Sequence, residues 1–449
     1  MANRITNTPA GLLLVLLAAC FLIVACMPFK RRLLSEPGSS WANNQYSLAT
    51  SGKVFRMRPR RRFKGKRLSQ TLATGKAQAT RSLTSKSICG VWAVVTTISS
   101  PTATVLQLAK LANAKELCLV VVGDLKTPSH TKLGENTVYL SPEDQEKLPY
   151  EIIKQLPWNH FGRKNVGYLY AIHQGASYIY DTDDDNELIG NGIPQLQHFN
   201  VGMLQTSNPV TNPNPCFFAE SKMSTAADGS VIAWPRGFPL DAIKDRQSRI
   251  CTMRNVTEQE YRSIGIIQSL ANHDPDVDAI FRLTRPLPLN FGSPGSSGKR
   301  AVMIPQRTFT PYNAQATLHM SSALWGLLLP ITVHGRVSDI WRSYFAQALM
   351  WRAGLHLAMA QPWVVQKRNA HNYMGDFEAE SNLYYQSGAL LEFLSASFRG
   401  TEKSIPHLME HVYIDMYEHG ILQLKDVALA QAWLKDLSGL EYVFPDVIA

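Results

Sequence analysis

The chain has 449 residues, of which 45% are hydrophobic and 18% charged, a composition that excludes a wholly disordered protein. Its net charge of +10 arises from residues 1–86, which carry 16 Lys and Arg residues and one acidic residue. The remainder of the chain is net acidic, so its folded part is not expected to bind nucleic acid through charge.

An uncharged apolar run at residues 10–27 predicts a membrane anchor near the N-terminus. A small-residue cleavage site within the run is poor, so we favour an uncleaved anchor over a cleaved signal peptide. Three basic residues follow the run at positions 30–32, whereas Arg4 alone precedes it. The positive-inside rule therefore favours a cytoplasmic C-terminus, in conflict with the lumenal domain that the function described below requires.

Composition divides the chain into three parts. Residues 1–32 are predicted to form a tail and the membrane anchor, residues 33–87 a disordered basic stem, and residues 88–449 the folded domain. Within the stem, residues 53–67 include nine basic residues in fifteen. Such a block is usually solvated, and on the cytosolic side it would alternatively lie against anionic lipid headgroups.

The start of the folded domain alternates apolar runs with segments of helical spacing. This alternation predicts an α/β fold with a parallel sheet, in which ligands bind beyond the carboxyl ends of the strands. The predicted elements are a strand at 91–98, a helix through 105–112, a strand at 117–122, a helix opening at Ser141, a helix at 163–174 that Gly175 ends, and a strand at 178–180.

The pattern beyond residue 200 is mixed. Residues 276–284 favour a strand, residues 285–313 a long irregular loop of the kind that often forms a lid, and residues 338–351 and 378–398 two helices. His356 and His371 are predicted to be structural.

The cysteines and one sequon bear on the cellular compartment. Cys216 and Cys251 are the favoured disulfide for a lumenal domain, whereas Cys89 and Cys118, at strand starts, are predicted to be buried free thiols. The sequon at residues 255–257 (Asn-Val-Thr) gives weak support to a lumenal location.

The motif DTDDD at residues 181–185 directly follows the predicted strand at 178–180. Four carboxylates this close repel one another unless a cation or hydrogen-bond donors compensate. Because Mn²⁺ and Mg²⁺ prefer carboxylate and phosphate oxygens, the motif suits a divalent cation that carries a diphosphate. Asp124 ends the preceding strand and is expected at the same edge of the sheet, as a base or ribose contact or as a turn former.

Four interpretations of the motif compete. A solvated acidic loop needs no cation. An EF-hand needs Gly and Glu where this chain has Asn186 and Gly192. A phosphatase of the aspartyl-phosphate type would use Asp181 and Asp183 but places that pair on its first strand. The DxD motif of nucleotide-sugar glycosyltransferases places a metal on the diphosphate, where negative charge develops on the leaving nucleotide.

Five stretches resemble the STELLO family of Golgi proteins, whose members are taken to be GT-A-type glycosyltransferases and, in plants, are associated with cellulose synthase assembly. The resemblance covers roughly residues 90–400 and implies a GT-A-like mixed sheet flanked by helices. Plant members also carry a further C-terminal region that this chain lacks. The stretches are residues 161–185, 234–240, 276–284, 312–317 and 335–342.

The resemblance implies a set of site residues around the acidic motif. Asp183, Asp184 and Asp185 are the predicted metal ligands, with Asp181 and Asp183 toward the nucleotide. Plant members have a non-acidic residue at the fifth position, which favours Asp181, Asp183 and Asp184 as the ligand set. The helix start at Arg163, Lys164 and Asn165 suits phosphate or base recognition, or is a solvated helix start.

Asp339 resembles the acceptor-side Asp of exostosin-like transferases, with Arg342 as its ion-pair partner or a phosphate contact. The alternative is that Asp339 is a helix N-cap. As an acceptor-side residue it must lie within about 15 Å of Asp183, because a sugar diphosphate and one water have to bridge the two.

These features predict a Golgi membrane protein of type II topology with a lumenal domain. We expect it to transfer a sugar from a nucleotide-sugar, with uridine favoured as the base, to a glycan or glycoconjugate acceptor with Mn²⁺ or Mg²⁺. The alternative is a non-catalytic Golgi scaffold that keeps the glycosyltransferase fold and organises other enzymes.

Overall fold

The structure, a computed structural model, describes residues 61–68, 89–128, 133–217, 233–291, 299–368, 371–397 and 404–448. The predicted anchor at residues 10–27 lies outside these ranges. Among the helices within them, none is both long enough and apolar enough to cross a membrane.

The first half of the domain confirms the predicted alternation of strands and helices. Gly175 has a positive φ of 84° and ends the last helix of this half, as the sequence indicated. The elements are β1 (Val91–Thr96), α1 (Ala103–Asn113), β2 (Cys118–Val122), β3 (Thr137–Leu140), α2 (Pro142–Lys147), α3 (Lys164–His173) and β4 (Tyr178–Thr182).

The second half begins with strands and ends in a group of helices. Its strands are β5 (Asn186–Leu188), β6 (Phe199–Leu204), β7 (Met253–Asn255), β8 (Ile264–His273), β9 (Lys299–Met303), β10 (Ala316–Met320) and β11 (His356–Gln366). Its helices are α4 (Glu258–Arg262), α5 (Ala279–Thr284), α6 (Gly335–Arg352), α7 (Tyr373–Ala379), α8 (Ser381–Ser397), α9 (Ile405–Glu418) and α10 (Leu424–Gly439).

All these strands form one mixed sheet in the order β3-β2-β1-β4-β10-β8-β11-β9-β6-β7, with β5 paired to β11. Strands β3, β2, β1 and β4 are mutually parallel. β10 is antiparallel to both β4 and β8, whereas β8 and β11 are parallel. The predicted α/β class, a mixed sheet flanked by helices, is therefore observed.

Helices cover both faces of the sheet, and each face has its own apolar core. Residues of α3, α6, α9 and α10 pack on one face, and α1 packs on the other. Gly167 of α3 lies so close to the sheet that an added Cβ would come within 2.7 Å of Val94 and Val122. Because a larger residue there would push α3 outward, this contact fixes the depth of α3 against β1 and β2.

Three predictions for the second half are wrong. The predicted strand at 276–284 is instead α5, which spans residues 279–284 and is capped by Asp278. The predicted loop at 285–313 contains β9 in its described part. The predicted helix at 378–398 is two helices, α7 and α8. The N-cap Asp278 favours the helix over a strand, and β9 forms because it pairs with β6 and β11.

The four cysteines of the described residues form two disulfides. Cys216 pairs with Cys251, as predicted. Cys89 pairs with Cys118 and so links a position two residues before β1 to the start of β2, which corrects the prediction of two free thiols. The sequence indicated two strand starts, but only the parallel register of β1 and β2 brings the two sulfur atoms together.

Residues 61–68, part of the predicted disordered stem, lie against the two last helices. The amide nitrogen of Phe63 donates to Glu418 Oε1 (2.9 Å), and that of Leu68 donates to Glu410 Oε1 (2.6 Å). Leu68 is buried, and the ring of Phe63 meets Tyr417 edge-on. The prediction of disorder therefore does not hold for these eight residues.

Candidate functional site

The carboxyl ends of β1, β2 and β4 open into a cavity of about 450 Å³. Thr97 follows β1, Asp124 follows β2, and Asp183, Asp184 and Asp185 follow β4, so all five lie in its wall. The start of α6 forms the opposite wall, whereas the chain that follows β11 lies beside the acidic motif, where Gln366 donates to Asp185. The parallel order of the strands thus brings the acidic motif and Asp124 to one edge, as the sequence predicted.

A buried ionic cluster supports the cavity from below. Lys164 Nζ lies 2.8 Å from Asp181 Oδ1, and Arg342 Nη1 lies 3.1 Å from Asp181 Oδ2. The hydroxyl of Tyr168 donates to Asp181 Oδ1 at 2.8 Å. Burial opposes ionisation here, but Lys164 and Arg342 outweigh it and lower the pKa of Asp181. The three charged groups therefore stay ionised inside the protein.

Asp181 and Arg342 were predicted to contact the nucleotide and the substrate, and the structure places both outside the cavity. Both side chains are buried and bonded to each other across β4 and α6. The pairing of Arg342 with Asp339 that the sequence suggested is also absent from the ion pairs of the described residues. Asp181 is the last but one residue of β4 and points into the helix layer, so it cannot reach a ligand.

Lys164 and Asn165 were predicted to bind a phosphate or a base, and both are also buried. Lys164 donates to the carbonyl oxygens of Thr182 (2.7 Å) and Ala314 (3.1 Å). Asn165 exchanges two hydrogen bonds with the backbone of Leu329. These groups hold the end of β4 and the segments before and after β10, so their polar atoms are engaged within the fold.

Arg163 and Asp124 lie in the cavity wall, but their polar atoms are largely engaged. Arg163 stacks on the ring of Trp158 at 3.7 Å and donates to Gln145 Oε1. Asp124 accepts hydrogen bonds from three backbone amides, those of Leu125, Asn159 and His160. Asp124 is thus a turn-forming residue, the second of its two predicted roles, at a position that faces the cavity.

The three carboxylates of the predicted metal site are each held by a neighbouring donor. Lys164 Nζ lies 3.1 Å from Asp183 Oδ1, Thr97 donates to Asp184 Oδ2 at 2.5 Å, and Gln366 donates to Asp185 Oδ2 at 2.9 Å. Asp183 remains about one-third exposed, toward the cavity. Donors of this kind orient carboxylates that bind a cation, as outer-shell groups do at metal sites.

The negative charge of the motif is only partly neutralised. Burial raises the pKa of Asp183 to about 7, with Lys164 opposing and Asp185, Asp181 and Asp339 adding to the rise. Burial also raises the pKa of Asp185. A bound cation would remove this repulsion between the carboxylates.

Within the described part of the chain, no three acidic, histidine or cysteine side chains converge on one metal position. The described residues therefore do not supply a complete set of protein ligands for a metal ion. One or two carboxylates facing an open cavity fit a Mg²⁺-like ion that takes its remaining ligands from substrate phosphates and water. Asp183 and Asp184 are the residues suited to that role, because each keeps one oxygen atom free of contacts with the described residues. Both oxygens of Asp185 accept hydrogen bonds, from Asn186 (2.7 Å) and from Gln366 (2.9 Å).

Asp339 lies in the wall opposite the acidic motif. His334, not Ser338 or Asp339, caps α6, so the N-cap alternative is wrong. Asp339 Oδ2 lies 3.1 Å from Arg236 Nη2 and accepts a hydrogen bond from the amide of Ala314 at 3.2 Å. Arg236 is itself held by Asp276, at 2.7 and 3.0 Å.

A chain of hydrogen bonds links the two walls. Asp339 accepts from the amide of Ala314, whose carbonyl oxygen accepts from Lys164, which also contacts Asp183. With standard backbone dimensions these contacts keep the Asp339 and Asp183 carboxylates within about 13 Å of each other. Asp339 therefore meets the distance expected of an acceptor-side residue.

Several cavity residues were not predicted individually. Arg236 and Arg336 fall within stretches that carry the family resemblance, so the sequence held a signal for them. Arg368 had none, because it follows a strand that the sequence did not place. His371, predicted to be structural, lies in the wall 3.4 Å from Asp376. The other unpredicted wall residues include His160, His334 and Gln366.

Comparison with known proteins confirms the resemblance to the STELLO family. A family model of STELLO glycosyltransferases matches residues 336–449. The chain is 31% identical to "Probable glycosyltransferase STELLO1" of Arabidopsis thaliana over 80% of its own length, and 30% identical to "Probable glycosyltransferase STELLO2" of the same plant over 80%. It spans about half the length of these curated relatives, 45% and 46%.

We expect Asp181→Asn to lower the free energy of unfolding by about 3–5 kcal/mol, because it leaves two buried cations without their shared counter-ion. The matched variant Asp183→Asn should cost less than about 1 kcal/mol, since this carboxyl is partly exposed and the Asp181 pairs remain. Urea denaturation followed by circular dichroism measures both. Equal losses in the two variants would contradict the division of the motif into a buried and a cavity carboxylate.

Proposed function

We propose that this chain, which belongs to the STELLO family, transfers a sugar from a nucleotide-sugar to a glycan or glycoconjugate acceptor in the cavity at the ends of β1, β2 and β4. The observation that carries the proposal is the facing pair of walls, with Asp183, Asp184 and Asp185 on one and Asp339 with Arg236 on the other. The acidic wall suits a divalent cation that carries the donor diphosphate, and the opposite carboxylate suits a hydroxyl group.

The donor side of the reaction is proposed to depend on Mn²⁺ or Mg²⁺ and to use a uridine diphosphate sugar. Asp183 and Asp184 would hold the ion, which would supply positive charge to the leaving diphosphate. Thr97 and Gln366 orient the carboxylates of the motif through the hydrogen bonds given above. Lys164 balances part of their charge from beneath the cavity.

Asp339 is proposed to orient the acceptor hydroxyl and to take up its proton. Its two hydrogen-bond donors, Arg236 and the amide of Ala314, fix its carboxylate. A group that is fixed in this way pre-organises the acceptor and adds little reorganisation cost to the transfer step. Arg342 has no part in this proposal, because it is committed to Asp181.

A lumenal Golgi location is proposed for the domain, with the predicted anchor as its membrane attachment. The two disulfides support an oxidising compartment. Asn255 lies exposed on β7, the edge strand of the sheet, where a glycan meets no neighbouring strand on one side. The basic residues after the apolar run argue against this orientation, so topology has to be measured.

A non-catalytic scaffold remains the second candidate. It is supported by the same family membership, because a fold can be kept after its activity is lost. The acidic wall separates the two candidates, since a scaffold has no need of a metal-dependent nucleotide site.

Replacing both Asp183 and Asp184 with Ala should abolish Mn²⁺-dependent binding of uridine diphosphate, because the variant removes two of the three cavity carboxylates of the motif. Isothermal titration calorimetry with and without Mn²⁺ measures this. Asp241→Ala, which removes an exposed carboxylate outside the cavity wall, is the control and should bind as the wild type does. Unchanged affinity in the double variant would sink the metal assignment.

Asp339→Asn should reduce sugar transfer by roughly two orders of magnitude or more while nucleotide binding persists. Folding should survive, because Arg236 keeps its bidentate partner Asp276. Asp276→Asn is the matched control, as it removes the other carboxylate of the same guanidinium from a position outside the cavity wall. If both variants lose transfer equally, Asp339 acts only by holding Arg236.

The chain recovered from its native membranes should show a glycosidase-sensitive mobility shift that is lost in Asn255→Gln. The shift is expected because Asn255 is exposed and Thr257, two residues later, completes its glycosylation sequon. Protease protection of the domain in sealed microsomes is the companion measurement, since it does not require the sequon to be used. Digestion of the domain in intact microsomes would overturn the lumenal location.

A further inference from the structure

Four arginine side chains line the cavity, and three of them have partners. Arg163 donates to Gln145 Oε1 and to the carbonyl oxygen of Leu156. Arg236 is paired with Asp276 and Asp339. Arg336 is paired with Glu380 and Asp376. The fourth, Arg368, donates no hydrogen bond to any residue that the structure describes, and its Nη1 is buried without a partner there.

The surroundings of Arg368 make this lack of a partner costly. Burial lowers the pKa of its guanidinium and the nearby cation Arg282 lowers it further, whereas the carboxylates of Asp276 and Asp274 act in the opposite direction without forming an ion pair with it among the described residues. A cation that is desolvated beside another cation is unfavourable unless an anion neutralises it. Because Arg368 lines the cavity, a ligand in the cavity can supply that anion.

The position of Arg368 indicates which part of a ligand it meets. It follows β11, two residues after Gln366, whose amide holds Asp185 Oδ2 at 2.9 Å. Arg368 therefore adjoins the acidic motif, on the side of the cavity where the donor diphosphate is proposed to bind.

We propose that the guanidinium of Arg368 binds the β-phosphate of the nucleoside diphosphate in the donor. The inference rests on the proposed function and adds a residue to it. A guanidinium offers two parallel N–H groups that match two phosphate oxygens, which a lysine in the same place would not do. Arg368 is then the direct protein contact of the leaving group, beside the carboxylates that would hold the ion.

In the transfer step, the bond between the anomeric carbon and the β-phosphate oxygen breaks and its electron pair stays on that oxygen. The acceptor hydroxyl oxygen forms the new bond to the anomeric carbon, and its proton passes to the Asp339 carboxylate. Negative charge thus grows on the β-phosphate. Because Arg368 donates to that phosphate, its hydrogen bonds strengthen as the bond breaks, which favours the transition state over the bound donor.

The test compares Arg368→Met with Lys367→Met in the full domain. Lys367 is the adjacent residue with the same charge, but it is exposed, pairs with Glu187 at 3.3 Å and does not line the cavity. Calorimetry with Mn²⁺ should show uridine diphosphate binding about 10- to 100-fold weaker in Arg368→Met, the range for a hydrogen bond to a charged group. Uridine monophosphate binding should change less than about threefold, and Lys367→Met should match the wild type for both nucleotides. Arg368→Lys should fall between the two.

Two outcomes overturn the proposal. The first is unchanged binding of uridine diphosphate in Arg368→Met. If transfer is nevertheless reduced, the guanidinium would serve an anionic acceptor and not the donor. The second is an equal loss of affinity for uridine diphosphate and uridine monophosphate, since Arg368 would then not contact the β-phosphate. Thermal denaturation of each variant separates loss of the contact from loss of the fold.

The same titrations distinguish this inference from the proposed function. If the wild type does not bind uridine diphosphate, the proposed function fails, and inorganic pyrophosphate in EDTA then tests Arg368 by itself. Pyrophosphate binding that is lost in Arg368→Met but kept in Lys367→Met would retain a diphosphate site at Arg368. Absence of pyrophosphate binding to the wild type would overturn the inference together with the function.

Discussion

The ion pairs of Asp181 are the constraint on which the rest of the structure depends. One carboxylate at the end of β4 receives Lys164 from α3 and Arg342 from α6, so three elements meet at a single buried charge. Each charged group carries a large desolvation penalty that its contacts within this cluster help to offset. The helices on this face of the sheet can therefore adopt one arrangement, and the position of the cavity follows from it.

Lys164 also connects this buried cluster to the chemistry above it. Its ammonium contacts Asp181 below the cavity and Asp183 at the cavity wall, and it donates to the carbonyl of Ala314, whose amide holds Asp339. A single side chain thus sets the relative positions of the donor and acceptor walls. Lys164, Asp181 and Arg342 were suggested as ligand contacts by the sequence. In the structure they instead hold the residues of the cavity wall in position.

The sequence predicted the parts of the fold that depend on local pattern. Buried strands such as β2 are continuous apolar runs, and α3 ends at a glycine with positive φ. It did not separate Asp181 from Asp183, because that distinction depends on which helices cover β4. It also misjudged residues 276–284, where alternating apolar residues suggested a strand but Asp278 starts a helix that leaves Leu283 exposed. Arg368 could not be found, since only the pairing of β11 with β8 brings it to the cavity.

The order of the strands has a consequence for biosynthesis. β1 to β4 and their helices leave the ribosome first, and Cys89 and Cys118 can join at that stage. The open edge of β4, however, pairs with β10, and Asp181 meets Arg342 only after α6 has been translated. During that interval the nascent chain presents an unpaired strand edge next to a carboxylate that has only one of its two cations. This edge is therefore most open to incorrect strand pairing while the second half of the domain is being synthesised.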